Sequence, residues 1–229
     1  MLLGWQLQSA EQEDSQMGFT TATTSEGTKN SARLLMVYGG VFCVAWAYTL
    51  LTTSDLANWI TENVLTVLFL GVMAWGYPRF RFSDMSYTLM FAFLMLHIFG
   101  AQHTYAEAPI GFWIRDVLGL ERNPYDHIVH YSFGLLMAYP MRDYFLNKME
   151  WPAWVCWVLP VEITLSFSGA YEIIEYGVAD IFFPDVGVAY LGSQGDPWDA
   201  QKDMLIAFTG AITCMVMTSV VGRVWRKAS

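Results

Sequence analysis

LLMVYGGVFCVAWAYTLL, residues Leu34 to Leu51, runs eighteen residues without an Asp, Glu, Lys or Arg. At a helical rise of about 1.5 Å per residue such a run nearly fills the ~30 Å hydrocarbon layer of a bilayer. Working outward, comparable apolar stretches recur at about Trp59–Tyr77, Met85–Ala101, Asp126–Tyr144, Pro152–Phe182 and Asp203–Val224, separated by short polar breaks. The pattern predicts an all-α, polytopic membrane bundle of six transmembrane helices. The fifth stretch is too long for one straight crossing, so a kink at Pro160 or Gly169, or a tilt, is expected.

Composition agrees with that reading. Hydrophobic residues make up 55% of the chain and charged residues 14%, too few charges to cover a water-soluble surface of this size. The ten Trp and twelve Tyr suit the boundary between hydrocarbon and headgroups. A net charge of −9 without any basic patch excludes nucleic acid as a partner. Cys43, Cys156 and Cys214 each lie in an apolar run without CxxC spacing and read as small core hydrophobes. Residues 1–31, rich in Thr, Ser, Gln and Glu, read as a disordered polar tail and lack the apolar segment of a signal peptide. Residues 32–229 then form the transmembrane domain, with a loop at 104–125 that alternates apolar and charged residues as an interfacial helix or a lid would. Lys29, Arg33, Arg79, Arg81, Arg142, Lys148, Arg223, Arg226 and Lys227 fall in alternate connections, which places both termini in the cytoplasm.

The ionisable residues within the spans are concentrated. Each costs roughly 2.5–3.5 kcal/mol on insertion scales, so their presence calls for an explanation. His97 and His103 close the third span; Asp126, His127 and His130 open the fourth; Glu172 and Glu175 lie late in the fifth; Asp199 and Asp203 lead into the sixth. Alternation of the spans brings all of these to one leaflet. Asp126 and His130 share a helical face, as do Glu172 and Glu175, whereas His127 points about 100° from Asp126. Carboxylates and imidazoles gathered at a low-dielectric edge must be balanced by protons or a cation. The donor types suit a divalent metal ion, Zn, Mn or Fe, held by His103, Asp126, His130, Asp199 and Asp203. Glu172 and Glu175 are the expected catalytic acids or bases, and Tyr105, Gln194, Asp196 and Trp198 the expected substrate contacts. Bound membrane lipid is the expected partner. Three functions suit this pattern: a metal-dependent enzyme acting on a lipid or envelope substrate, a cation- or proton-coupled transporter, or a structural or regulatory protein whose polar cluster ties helices together with Arg115, Arg122 and Lys202 as counter-charges. His97 and His127 are the weaker candidates, and Glu162 is expected to pair or snorkel locally.

Five strings add to this: HTYA from His103, PIGFW from Pro109, GLERNPYD from Gly119, YEIIE from Tyr171 and GSQGDPWDAQKDM from Gly192. In this order they resemble the bacterial YjdF-type inner-membrane family, of unknown function, over about Met95 to Ala211. The spacing of Asp126 and His130, then Glu172, then Asp199 and Asp203 is more faintly similar to VanZ-like membrane proteins. The resemblance implies an inner-membrane location and a functional cluster at His103, Asp126, His130, Glu172, Glu175, Asp196, Asp199 and Asp203. It implies no particular reaction.

Overall fold

A computed structural model describes residues 31–182 and 193–228; the expected polar tail, residues 1–31, lies outside the described residues except for Ser31. Two contact units divide at Cys43/Val44. In the first, the described residues are helical throughout. The helices, in chain order, are α1 (Ser31–Thr52), α2 (Leu56–Gly76), α3 (Asp84–Gln102), α4 (Pro109–Leu118), α5 (Tyr125–Asn147), α6 (Ala153–Phe182) and α7 (Asp199–Ala228). No strand occurs among the described residues. Five of these, α1, α2, α3, α6 and α7, are long and apolar enough to cross a membrane. The expected fourth span, α5, is long enough at 23 residues but, with Asp126, Arg142 and Asp143 along it, is not among those five. Its position explains the polarity: α5 packs against α7, α3 and α6 and is enclosed by them, so its polar side chains meet protein.

Local chemistry sets the helix ends. The Asp55 side chain accepts the backbone N–H of Asn58 at 3.0 Å and starts α2; Ser83 accepts that of Ser86 at 3.2 Å and starts α3. Pro109 occupies the first turn of α4, and Gly119, at φ +65°, ends it in a left-handed conformation. α4 falls within the expected interfacial loop and turns Ile110, Trp113 and Val117 outward. α6 runs as one helix through Pro160; the Thr164 hydroxyl donates to the Pro160 carbonyl at 2.8 Å.

One crossing governs the rest. A Cβ built on Gly134 of α5 would lie 1.9 Å from the carbonyl oxygen of Ala207 in α7, and one on Gly210 would lie 2.2 Å from that of Tyr131. The two backbones therefore touch, as small residues allow in apolar surroundings. Ala138, Ala207 and Ala211 continue the seam, each fully buried. It fixes the register of α5 on α7, and hence which polar side chains meet at their ends.

Candidate functional site

The ends of α3, α5, α6 and α7 that share one side of the bundle carry the acids and imidazoles. α7 opens at Asp199, a turn earlier than the apolar pattern marked, so Asp199 and Asp203 stand on one face at i, i+4. α5 opens at Tyr125 and presents Asp126 and His130 on one face. His130 Nε2 lies 3.6 Å from Asp126 Oδ1 and 3.5 Å from Glu172 Oε1 of α6. His127 Nε2 lies 3.7 Å from Asp199 Oδ1 and 3.5 Å from Asp203 Oδ1. Ligand atoms of Asp126, His130 and Asp203 all lie within 4.8 Å of one another, and so do those of His127, Asp199 and Asp203. Asp203, buried, belongs to both groups.

Counter-charge separates the two groups. The Arg122 guanidinium pairs with Asp199, lies 3.3 Å from Asp196 Oδ2 and 2.9 Å from His127 Nε2, and donates to the Ser193 carbonyl. Lys202 also pairs with Asp196, and its hydrogen bond, with the N–H of Trp198, holds that carboxyl below its ordinary value. Among the described residues, no Lys or Arg is ion-paired with Asp126, Asp203 or Glu172. Asp203 Oδ1 and Glu172 Oε1 are buried and accept no hydrogen bond from the described residues. Buried acceptors without donors are uncommon and costly.

The two polar strings flanking the site are bonded to each other. The N–H of Asn123 donates to Gln194 Oε1 at 2.9 Å, and Gln194 Nε2 donates to the Asn123 carbonyl at 3.0 Å. Asn123, fully buried, also donates to the Ala108 carbonyl and accepts the N–H of Tyr125. Its side chain fills the space that a Cβ on Gly111 would take. This latch holds the start of α5 against the segment entering α7.

A second polar group lies beside the first. The Tyr171 hydroxyl donates to Glu62 Oε2 of α2 at 2.8 Å, and its ring meets His130 edge-on. The Tyr105 hydroxyl lies 2.6 Å from His97 Nδ1 and also beside the Glu62 carboxyl. Thr104 and Tyr105, at φ +54° and +50°, form a strained turn that drives Tyr105 into the interior. Gly100 makes room, since a Cβ there would meet the Tyr105 ring at 2.3 Å. Burial, then the Glu62 and Asp126 carboxylates, pushes the Tyr105 phenol well above its usual range.

Asp126, His130, Asp199, Asp203 and Glu172 thus come together at one end of the bundle. His103 does not join them: it caps the C-terminus of α3, its ring stands edge-on to Phe99, and burial lowers its pKa. The physical reason is its place past the last helical turn, where the chain departs into the Thr104–Tyr105 turn. Glu175, one turn beyond Glu172, belongs to neither ligand group among the described residues. Of the expected substrate contacts, Trp198 is 64% exposed, whereas Gln194 is bonded to Asn123, Asp196 to Arg122 and Lys202, and Tyr105 to His97. His127, disfavoured by its azimuth on α5, joins the cluster because α7 lies on that side. Arg115 pairs with its neighbour Asp116 and takes no part. Glu62 is a buried acid early in α2 that the apolar pattern of the second span does not single out; its place within that span is the signal that could have found it.

The chain matches the family described as "Predicted membrane protein (DUF2238)" over residues 34–223. It is 32% identical over 171 residues to the inner membrane protein YjdF of Escherichia coli (strain K12), which covers 74% of this chain and 81% of that protein. No solved structure matches it. Five helices long and apolar enough to span a membrane make it a multi-pass integral membrane protein. With the match covering most of its length, the chain belongs to the DUF2238 family of membrane proteins.

Proposed function

We propose that this protein resides in the bacterial inner membrane with both termini in the cytoplasm, holds a divalent cation (Zn, Mn or Fe) at the outer leaflet, and uses it to hydrolyse a lipid headgroup or a lipid-linked envelope component. The location extends to this chain what the name of the E. coli relative says of that protein. The orientation rests on Arg79 and Arg81 between α2 and α3, and on Arg142 and Lys148 at the end of α5 and just after it. The carrying observation is the approach of Asp126, His130 and Asp203 within 4.8 Å of one another, with no Lys or Arg ion-paired to them among the described residues. Two carboxylates and an imidazole are a donor set these metals accept. The alternative group, His127, Asp199 and Asp203, already has Arg122 as its cation. Asp126, His130 and Asp203 would hold the metal, which would supply polarisation of an ester oxygen and a more acidic water. Glu172, beside His130, and Glu175 serve as proton acceptors. Trp198 and Trp113, both exposed, flank the substrate entrance, while Gln194 and Tyr105 support its walls.

Purification in mild detergent, metal stripping, reloading and elemental analysis test the reading. About one metal per chain is expected, lost in His130→Ala and Asp203→Asn and retained in His103→Ala. A wild-type chain that takes up no stoichiometric metal on reloading removes the basis of the proposal. A cation- or proton-coupled permease is the second reading, favoured by Glu62, which carries the polar track from α6 to α2. Cation or proton flux in proteoliposomes, abolished by Asp126→Asn, distinguishes it.

A further inference from the structure

Cations at the two ends of the bundle are treated differently. At the end carrying the acid cluster, Arg115, Arg122 and Lys202 each pair with an aspartate. At the opposite end, where α2 stops, α3 starts, α5 stops and α6 starts, Arg79, Arg81 and Arg142 have no ion pair among the described residues. Each instead stands over an aromatic ring: Arg79 over Trp75 at 4.3 Å, Arg81 over Tyr77 at 4.8 Å and Arg142 over Trp157 at 4.3 Å.

Asp143, the chain neighbour of Arg142, is otherwise engaged. Asp143 accepts the N–H of Ser83 at 3.0 Å, the hydroxyl of Ser86 at 2.6 Å and Asn147 Nδ2 at 2.7 Å. These bonds tie the α2–α3 connection to the end of α5, and Phe80 and Phe82 pack on Tyr144 of α5. Arg81 and Arg142 are thereby held on adjoining segments. Arg79 and Arg81 are exposed, and Arg142 Nε is buried without a partner among the described residues. Around them Trp75, Met85 and Trp154 are exposed apolar surface at helix ends.

Guanidinium groups stacked on interfacial aromatics, free of carboxylate partners and ringed by apolar residues, match an anionic phosphodiester tethered in the bilayer. We infer that the α2–α3 connection and the end of α5 form a binding site for the headgroup of an anionic phospholipid, with Arg79, Arg81 and Arg142 as its cationic contacts. A soluble phosphate would bring the charge but not the acyl chains that cover Trp75 and Trp154. The site is separate from the carboxylate and histidine cluster and does not depend on a metal there.

Native mass spectrometry of the full chain released from nanodiscs containing equal phosphatidylglycerol and phosphatidylcholine tests this. The expected result is preferential retention of phosphatidylglycerol by the wild type, reduced about fivefold for each of Arg79→Gln, Arg81→Gln and Arg142→Gln, unchanged in Arg115→Gln and not displaced by inorganic phosphate. Equal retention of the two lipids by the wild type, an undiminished preference in the triple variant, an equal loss in Arg115→Gln, or displacement by inorganic phosphate would each overturn it. The wild-type comparison stands even if a variant does not fold.

Discussion

Gly134→Ala probes the contact on which the site depends. The added methyl would sit 1.9 Å from the Ala207 carbonyl oxygen, where ordinary contact begins at 3.4 Å, so α5 and α7 must part by about 1.5 Å. Neither obstacle is a flexible side chain, because the atoms facing Gly134 belong to the α7 backbone. Parting by that amount carries the His127 to Asp199 and Asp203 distances of 3.7 and 3.5 Å to about 5 Å, beyond an ion pair. Overpacking of a rigid contact costs about 1–3 kcal/mol, and the upper end applies here. In an open helix position the same change stabilises by about 0.8–1 kcal/mol, because alanine is the better helix former. The sign therefore decides. Unfolding in mixed micelles, followed by tryptophan fluorescence, should place Gly134→Ala about 2–3 kcal/mol below wild type. Gly71→Ala, with nothing within 4 Å of the added Cβ, should equal or exceed wild type. Gly134→Ala combined with Gly210→Ala should cost little more than the worse single change, since one separation relieves both clashes. A Gly134→Ala protein as stable as wild type, or a double variant whose loss equals the sum, would refute the touching backbones.

Asn123→Ala strips the latch of its buried amide, leaves the Tyr125 N–H without its partner and takes one of three donors from the Ala108 carbonyl, at a cost of about 1–3 kcal/mol in the same unfolding assay. Asn123→Asp should recover the bond from Tyr125 but not the one to Ala108. Arg122→Gln removes the cation that balances Asp199, so His127, Asp199 and Asp203 become available to a metal; isothermal titration should record tighter or additional uptake, and weaker uptake counts against the assigned division between the two groups. For pH, the Asp196 carboxyl is held below its ordinary value by Lys202 and the Trp198 N–H, so its contribution is complete above the unfolded value of about 3.9 and disappears as pH falls through the lower folded value. The stability gap between wild type and Asp196→Asn should accordingly be constant from neutral pH down to about 4 and close only in stronger acid; a gap that closes near pH 6 would contradict this.

Much of the scaffold is written in the chain as hydropathy. A span needs only enough consecutive apolar residues, so Leu34–Leu51 marks α1 (Ser31–Thr52), and Met85–Ala101 marks α3 (Asp84–Gln102), to within a few residues. The same alternation brings Asp126, His130, Glu172, Asp199 and Asp203 to one end, because helices joined by short connections must reverse direction. Helical periodicity also pairs Asp126 with His130 unaided.

Azimuth is different, since it depends on which neighbour each face of a helix meets. His127 reads as averted from Asp126, yet α5 is enclosed, and α7 supplies Asp199 and Asp203 on that side. His103 reads as a ligand by its proximity in sequence, but the strained turn after α3 swings the chain away and sends Tyr105 inward instead. Glu62 lies 109 residues from Tyr171, and nothing local in either segment announces their bond. The Gly134 and Gly210 contact sets the first of these: hydropathy counts apolar residues along a helix, while the fit of two backbones decides which side chains of α5 and α7 face each other.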